Sequence, residues 1–237
     1  MTTIVYTEQS EISRKRIMMA ALDLFAESEL DAVSMRMINR AAGYRNNSAL
    51  HYHFGSKQGL FESLVTFIQE WFNRAREKAL KSAEAKAELS GSVDAHDIVE
   101  AFITPYIRLL EEEEWGYPAI RFLARMEFDG ASESYAYLIR LAESQSLRFQ
   151  ALLAVCLPHI PEKIRHQRFN FFITSVMQGL AEYKNLNRTY MNDIDAASYR
   201  EYAEIIIDYS AAGLEAPLQK QSNESVIDLP VKNNLSY

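Results

Sequence analysis

Residues 34–57 read SMRMINRAAGYRNNSALHYHFGSK and contain two short helical patterns joined by a tight turn. Ser34 can cap the first helix, and Gly43 stands where a glycine commonly ends one. Leu50 and Phe54 of the second helix are four residues apart, so both face the same side, which we expect to be the core. Two short helices with a small and polar outer face are the sequence form of a helix-turn-helix, which inserts its second helix into the major groove of DNA.

The start of the second helix carries the small and polar side chains that entry into the major groove requires. Asparagine can pair with adenine, and Arg45 could either read guanine or hold a phosphate. Tyr52 and Lys57 suit the phosphate backbone, because a phenol donates to phosphate and Lys57 adds positive charge at the start of the next helix. The alternative is that Tyr52 is a packed aromatic residue and that the asparagines only form the turn. The groove-entering residues are Asn46, Asn47, Ser48 and Ala49.

This region resembles the N-terminal DNA-binding domain of the TetR/AcrR regulators over roughly residues 14–65. The matching features are a Leu-Phe pair, a serine four residues before an isoleucine, Ala-Gly before the turn, and Tyr-His-Phe followed by Ser-Lys. They are Leu24, Phe25, Ser34, Ile38, Ala42, Gly43, Tyr52, His53, Phe54, Ser56 and Lys57.

The resemblance implies a homodimer that binds double-stranded DNA at a palindromic operator and responds to a small-molecule effector. His51 stands where the family often has a tyrosine that reaches phosphate. We expect His53 to form a hydrogen bond either within the N-terminal DNA-binding domain, which we call the head, or to phosphate. The complete set of candidate DNA contacts is Ser34, Arg36, Arg45, Asn46, Asn47, Ser48, Ala49, His51, Tyr52, His53 and Lys57.

The formal charge is unevenly distributed along the 237 residues. The whole chain carries −7 at pH 7, which disfavours nucleic-acid binding when it is taken as one number. Residues 1–60 nevertheless hold seven Lys/Arg against six Asp/Glu, so that the acidic excess lies in the remainder. A near-neutral head on an acidic body suits a protein that touches DNA through one end.

Helical periodicity without sustained strand alternation predicts an all-α protein of about nine helices. An N-terminal three-helix helix-turn-helix domain would be followed by a C-terminal helical domain for ligand binding and dimerisation. We expect a flexible arm at 1–10, a DNA-binding domain at 11–57, an effector-binding and dimerisation domain at 58–213 and a polar tail at 214–237. A proline-free connector helix over 56–88 would tie the head to the body.

The body is rich in large aromatic residues and methionine. Each is more often a core residue than a pocket residue, but helices kinked by Pro105 and begun by Pro118 pack imperfectly. An aromatic-lined void would accept a hydrophobic or aromatic effector, and the resemblance implies a pocket in this part of the chain. The candidate pocket residues are Phe102, Tyr106, Trp115, Phe122, Met126, Phe149, Phe172 and Met177.

The last two long helices are apolar on more than one side. Such helices must lie either at the centre of the body or against a second subunit. A pair of them suits a homodimer built around a four-helix bundle, an arrangement that TetR-like proteins resemble. The candidate interface residues are Phe169, Ile173, Val176, Leu180, Tyr199, Tyr202 and Ile206.

Other functional classes lack their sequence signals. There is no G-x-S-x-G elbow, Walker loop or dinucleotide fingerprint, so we expect neither an enzyme nor a bound cofactor. His51 and His53 diverge on a helix and have no third ligand at useful spacing, so we expect no metal. The apolar runs are too short to span a bilayer and no signal peptide is visible, which predicts a cytoplasmic protein without a membrane partner.

Three functional hypotheses follow from the sequence. The first is a ligand-responsive transcription regulator, most consistent with a repressor. The second is an all-α small-molecule binder or enzyme whose helix-turn-helix is incidental, for which turnover without operator binding would be diagnostic. The third is a nucleoid-type or adaptor protein that binds DNA without an effector, and the acidic pI of about 5.4 counts against it.

Overall fold

A computed structural model describes residues 8–45, 48–128, 133–188 and 198–218 of the chain. Every regular element within these residues is a helix, which confirms the predicted all-α fold. The α-helices are α1 (Glu8–Glu27), α2 (Met35–Ala41), α3 (Ser48–Phe54), α4 (Lys57–Ser90), α5 (Ala95–Glu112), α6 (Gly116–Phe128), α7 (Glu133–Cys156), α8 (Glu162–Glu182) and α9 (Tyr199–Glu215), with 3₁₀ turns at Leu30–Ala32 and Tyr183–Arg188.

Some predicted features lie outside the described residues. Asn46 and Asn47 are among them, as are residues 1–7 of the predicted arm and residues 219–237 of the predicted tail. Residues 8–10 were expected to belong to the arm, but they form the start of α1.

Polar side chains cap the starts of the helices where the sequence places them. The Ser34 hydroxyl accepts a hydrogen bond of 3.3 Å from the Met37 N–H at the start of α2. At the start of α4, the Ser56 hydroxyl accepts one of 3.0 Å from the Gly59 N–H. These bonds satisfy N–H groups that the first helical turn leaves without partners, and they fix both ends of the segment that holds α3.

The longest helix, α4, connects the head to the body. Its 34 residues span about 51 Å at the usual rise of 1.5 Å per residue. Its buried face includes Leu60, Leu64, Ile68, Phe72 and Leu80. Phe67, Trp71 and Ala79 of the same helix are only partly buried against the core.

Ion pairs join α4 to α7 along the body. The Arg148 guanidinium of α7 donates two hydrogen bonds to Glu84, at 2.6 and 2.8 Å, and one of 2.7 Å to Glu77. Hydrogen bonding to these carboxylates raises the pKa of Arg148 and lowers those of both glutamates. The bidentate geometry fixes the register of the two helices more tightly than a single contact would.

The last two helices pack antiparallel. Near one end, the Arg168 guanidinium donates a hydrogen bond of 2.6 Å to the Leu214 carbonyl, and near the other the Tyr202 hydroxyl donates one of 3.2 Å to the Gly179 carbonyl. A Cβ added at Gly179 would lie 3.0 Å from that hydroxyl oxygen, so the glycine allows the two helices to approach closely. Among the described residues, no helix has the length and apolarity needed to span a membrane.

Candidate functional site

Backbone hydrogen bonds close the turn that follows α2. The Tyr44 N–H donates to the Asn39 carbonyl at 2.8 Å, and the Gly43 N–H donates to the Arg40 carbonyl at 3.1 Å. This pair of bonds is a Schellman motif, whose C′ residue takes a left-handed conformation. Gly43 has φ +80°, which a side chain would disfavour, so the glycine fits the turn for a conformational reason.

The outer face of α3 is presented to solvent. Leu50 and Phe54 are buried in the head, as predicted, whereas Ser48 and His51 are exposed and Ala49 is partly buried. Tyr52 is 70% exposed, which rules out the alternative that it is a packed core aromatic. A short helix anchored by two apolar side chains therefore carries a row of polar groups that face away from the protein.

The two histidines of α3 have different environments. The His51 ring nitrogen Nδ1 lies 2.9 Å from the Gly55 carbonyl oxygen, which accepts its proton. His53 is partly buried, and its ring packs edge-on against Tyr52 with 5.0 Å between centroids. Burial lowers the pKa of His53, and the positive charge of Arg14 lowers it further. His53 is therefore the histidine that lies against α1.

Exposed cations surround this helix. Arg36 on α2 and Arg45 in the turn both point to solvent, and Ser34 is exposed beside them. Arg14 of α1 stacks over the Phe54 ring, 5.4 Å from its centroid. Positive side chains on both sides of a solvent-facing helix are the arrangement that holds a polyanion across a protein surface.

Lys57 has different partners from those that we expected. Its ammonium donates hydrogen bonds to the Leu30 carbonyl at 2.8 Å and to the Val33 carbonyl at 3.3 Å, and it lies 3.9 Å from the Asp31 carboxylate. These contacts tie the first residue of α4 to the loop before α2. In this structure Lys57 therefore braces the head, and its contact with phosphate stays a prediction.

Four of the eight predicted pocket residues form one aromatic cluster in the body. The Phe102 ring lies 5.5 Å from Tyr106, 5.2 Å from Phe149 and 4.9 Å from Phe172, centroid to centroid. All four side chains are buried. The side chains of α5, α7 and α8 thus meet here, and we call this group the aromatic cluster.

The other four predicted pocket residues are buried elsewhere. Trp115 packs against Phe67 with 5.0 Å between ring centroids, and Met177 lies in the core. Phe122 and Met126 line a cleft of about 700 Å³ between the head and the body. This cleft is rimmed by charged groups of both signs, namely Glu29, Asp31, Lys57, Arg121, Arg125 and Glu182.

Buried polar side chains near the aromatic cluster were not predicted from the sequence. Arg76 of α4 is only 4% exposed, and its Nη2 donates a hydrogen bond of 2.6 Å to the Tyr106 hydroxyl. Gln69 is buried on the same face of this helix. The only sequence signal for their burial was their spacing. Positions 65, 69, 72, 76 and 80 lie on one face of a helix, and two of them, Gln69 and Arg76, are polar.

Glu127 of α6 is a second unpredicted group. Its Oε2 is buried without a hydrogen-bond partner among the described residues, and burial raises the pKa of this carboxyl to about 7. Its charge also contributes to a raised pKa of Tyr106, after the larger effect of burial. A carboxyl with such a pKa is partly protonated near neutrality.

One group of potential metal ligands lies at the start of α5. Atoms of His96, Asp97 and Glu100 come within 4.8 Å of one another. The Asp97 carboxylate already accepts a hydrogen bond from the Lys86 ammonium, and His96 lies 3.6 Å from Asp208. Ion pairs at an exposed helix start account for this cluster without a metal.

Three of the predicted interface residues belong instead to the core of this chain. Phe169, Val176 and Leu180 are buried, and a side chain enclosed within its own subunit cannot contact another one. α8 packs against α6, α7 and α9, and the Phe169 ring itself lies 6.2 Å from that of Phe102 on α5 and 6.3 Å from that of Phe149 on α7. The other four candidates are partly buried against the core: Ile173, Tyr199, Tyr202 and Ile206.

Large apolar side chains are exposed at different positions of the same two helices. Phe171 of α8 is 68% exposed, and Ile205 and Tyr209 of α9 are 67% and 73% exposed. Because α8 and α9 run antiparallel, Phe171 lies level with Tyr209. We call these three residues the exposed apolar face.

Comparison with protein families matches two segments of the chain. Residues 17–64 match the family described as bacterial regulatory proteins, tetR family, and residues 100–213 match the tetracyclin repressor-like C-terminal domain. The first segment contains α2 and α3, and the second contains α6 to α8 complete. No curated protein sequence matches the chain.

Two solved structures have the same fold over most of their length. The TetR family transcriptional regulator PfmR from Thermus thermophilus aligns with a TM-score of 0.55 and 20% identity, covering 84% of this chain and 97% of that one. A TetR-family regulator from a Rhodococcus species aligns with a TM-score of 0.52 and 12% identity, covering 85% and 99%. At these identities the likeness establishes the fold alone.

Proposed function

Because this chain belongs to the TetR family of transcriptional regulators, we propose that α3 reads its operator and that a small molecule bound in the body controls this binding. It is a DNA-binding transcription regulator. The proposal that α3 reads the operator is supported by the exposed outer face of this helix. Two inward anchors, Leu50 and Phe54, hold that face away from the core, with Tyr52 at its centre. A regulator of this kind acts on chromosomal DNA, which supports the predicted cytoplasmic location.

The candidate DNA contacts divide into groups with different functions. Ser48 and Ala49, together with Asn46 and Asn47 of the preceding turn, are proposed to read base edges. Tyr52, His51 and the exposed arginines are proposed to hold phosphates on both sides of the groove. His53 and Lys57 are proposed to support α3 from within the head, because both side chains contact the protein itself.

Two copies of the chain would bind the two halves of a palindromic operator. We assign the dimer contact to the exposed apolar face, because Phe171, Ile205 and Tyr209 are large apolar side chains that are each at least 67% exposed on the neighbouring helices α8 and α9. A homodimer must match its heads to about one turn of DNA, ~34 Å, or a multiple of it.

The effector is proposed to bind at the aromatic cluster. The cleft between the head and the body has a rim of charged residues, whereas a hydrophobic effector needs largely apolar walls. A ligand that favoured a different separation of the two heads would release the operator by population shift. This mechanism corresponds to a repressor that is inactivated by its effector.

A mobility-shift assay on the promoter DNA flanking the gene tests the proposal. The wild-type protein should shift this DNA and not a scrambled duplex of equal length. If Arg45 holds phosphate, Arg45→Ala should weaken binding to both duplexes. It should also reduce the slope of log affinity against log salt concentration by about one. If it reads guanine, the loss should be confined to the operator.

Lys78→Ala is the matched control, because Lys78 is an exposed cation on α4 away from the head. It should leave the operator shift unchanged. Equal shifts of operator and scrambled DNA would contradict the proposal of a sequence-specific regulator. Absence of any shift, together with turnover of a small molecule, would favour the enzyme hypothesis instead.

A further inference from the structure

Arg76 is a buried cation that lacks a carboxylate partner in the part of the chain that the structure describes. Its side chain is 4% exposed, and no aspartate or glutamate of the described residues forms an ion pair with it. Its Nη2 donates a hydrogen bond to the Tyr106 hydroxyl, while its buried Nε has no acceptor among these residues. Buried charges are normally paired, and this arginine has no carboxylate partner among the described residues.

Aromatic rings compensate only part of this charge. The guanidinium carbon lies 4.7 Å from the Phe72 centroid and 5.0 Å from those of Phe102 and Tyr106. Rings attract the guanidinium through their faces, whereas its N–H groups point outwards in its plane. The rings therefore hold Arg76 in place without using its in-plane donors, of which Nη2 bonds to the Tyr106 hydroxyl and Nε has no acceptor among the described residues.

Nearby side chains extend this polar strip along α4. Gln69 and Asn73 precede Arg76 by about two turns and one turn, and each has a buried side-chain oxygen without a partner among the described residues. Glu127 forms no ion pair with the arginine, and burial raises the pKa of its carboxyl to about 7. The strip thus contains one cation and two amides beside the apolar walls of the aromatic cluster.

We propose that Arg76 binds the carboxylate of the effector, and that the effector is an organic acid with an aromatic or alkyl body. A carboxylate accepts two parallel hydrogen bonds from a guanidinium, and the buried Nε of Arg76 offers a donor that has no acceptor among the described residues. The body of the acid would lie among Phe102, Phe149 and Phe172, where these rings now contact each other. This inference rests on the proposed function for the existence of an effector site in the body.

The test compares ligands that differ only in their polar group. The probes are 4-phenylbutyrate with its methyl ester and 4-phenylbutylamine, and decanoate with methyl decanoate and decylamine. Binding is followed by the fluorescence of Trp71, whose ring lies 5.5 Å from Phe72, and by the melting temperature. At least one acid should bind about tenfold or more tightly than its ester and its amine.

Variants identify the residue responsible. Arg76→Met should lose this preference while it melts at the wild-type temperature or above, because replacing an unpaired buried charge by an apolar side chain of similar length removes a desolvation cost. A structural arginine would instead give a clear loss of stability. Arg74→Met, which removes an exposed cation of the same helix, should leave acid binding unchanged.

Each result decides for or against the inference. Equal binding of acids and esters, preference for the amines, or full acid binding by Arg76→Met would overturn it. If Arg76→Met fails to fold, Arg76→Lys retains the charge without the fork and should still weaken acid binding. An operator shift without any acid binding refutes only this inference, whereas acid binding without an operator shift refutes only the proposed regulator.

Discussion

The ring of Phe122 on α6 stacks on that of Phe25 in the last turn of α1, with 5.9 Å between centroids. It also meets the Phe61 ring of α4 edge-on at 5.6 Å. One side chain of the body therefore contacts both helices that support the DNA-binding head. All three rings are buried, so this junction is part of the core and not a loose contact between domains.

Phe122→Ala should destabilise the protein by about 3–5 kcal/mol, because it removes a buried ring that joins three helices. Unfolding by urea, followed by circular dichroism, measures this loss. Leu147→Ala provides the control, since Leu147 is an exposed apolar residue of α7 and should change the free energy of unfolding by less than about 0.5 kcal/mol. Similar losses in the two variants would show that the junction is unimportant.

Gly59→Ala should impair operator binding. A Cβ at this position would lie 2.2 Å from the Phe54 carbonyl oxygen, so the end of α3 would have to move relative to α4. We expect at least about a tenfold loss of operator affinity, since each interaction in the groove depends on the placement of α3. Gly213→Ala is the matched change in α9, where no atom lies within 4 Å of the new Cβ. Wild-type operator affinity in Gly59→Ala would show that the close approach of Gly59 to the Phe54 carbonyl does not fix the position of α3.

Ile205→Lys should convert the protein to a monomer in solution. The substitution places a charge within the exposed apolar face, where a second subunit would have to bury it. Light scattering coupled to size-exclusion chromatography measures the mass of the particles. Leu147→Lys introduces the same charge at another exposed apolar position and should remain dimeric. A dimeric Ile205→Lys would mean that the subunits meet through another surface.

The stability of the head should fall as the pH is lowered through the ordinary histidine pKa of 6.5. The folded state lowers the pKa of His53, so the unfolded chain binds more protons in this range and is favoured by acid. The contribution is fully present above pH 6.5 and decreases below it. His53→Gln should reduce this dependence when the free energies of unfolding at about pH 5.5 and about pH 7.5 are compared. An unchanged pH dependence in the variant would exclude His53 as its source.

The head could be predicted from the sequence because its signals are local. The cap at Ser34, the left-handed Gly43 and the spacing of Leu50 and Phe54 each depend on neighbours a few residues away. Helical periodicity likewise located the connector helix, which was predicted over 56–88 and is observed over Lys57–Ser90. Such signals fix where a helix begins, where it ends and which residues share a side.

Long-range contacts could not be predicted in the same way. Phe169 and Phe171 both belong to an apolar helix, and only packing decides that the first is buried while the second is exposed. Lys57 bonds to carbonyls 27 and 24 residues earlier in the chain, a pairing that no local pattern indicates. Arg76 was missed for a related reason, because a charged residue on an apolar face is ordinarily expected at the surface.

The length of α4 makes small rearrangements in the body large at the DNA. A tilt of about 5° around the far end of a ~51 Å rod displaces its first turn by about 4 Å. Lys57 fastens that turn to the loop before α2, so the reading helix would be carried with it. Successive base pairs are ~3.4 Å apart along each strand. A helix tilt of about 5° would therefore shift each head by about one base pair relative to its half-site.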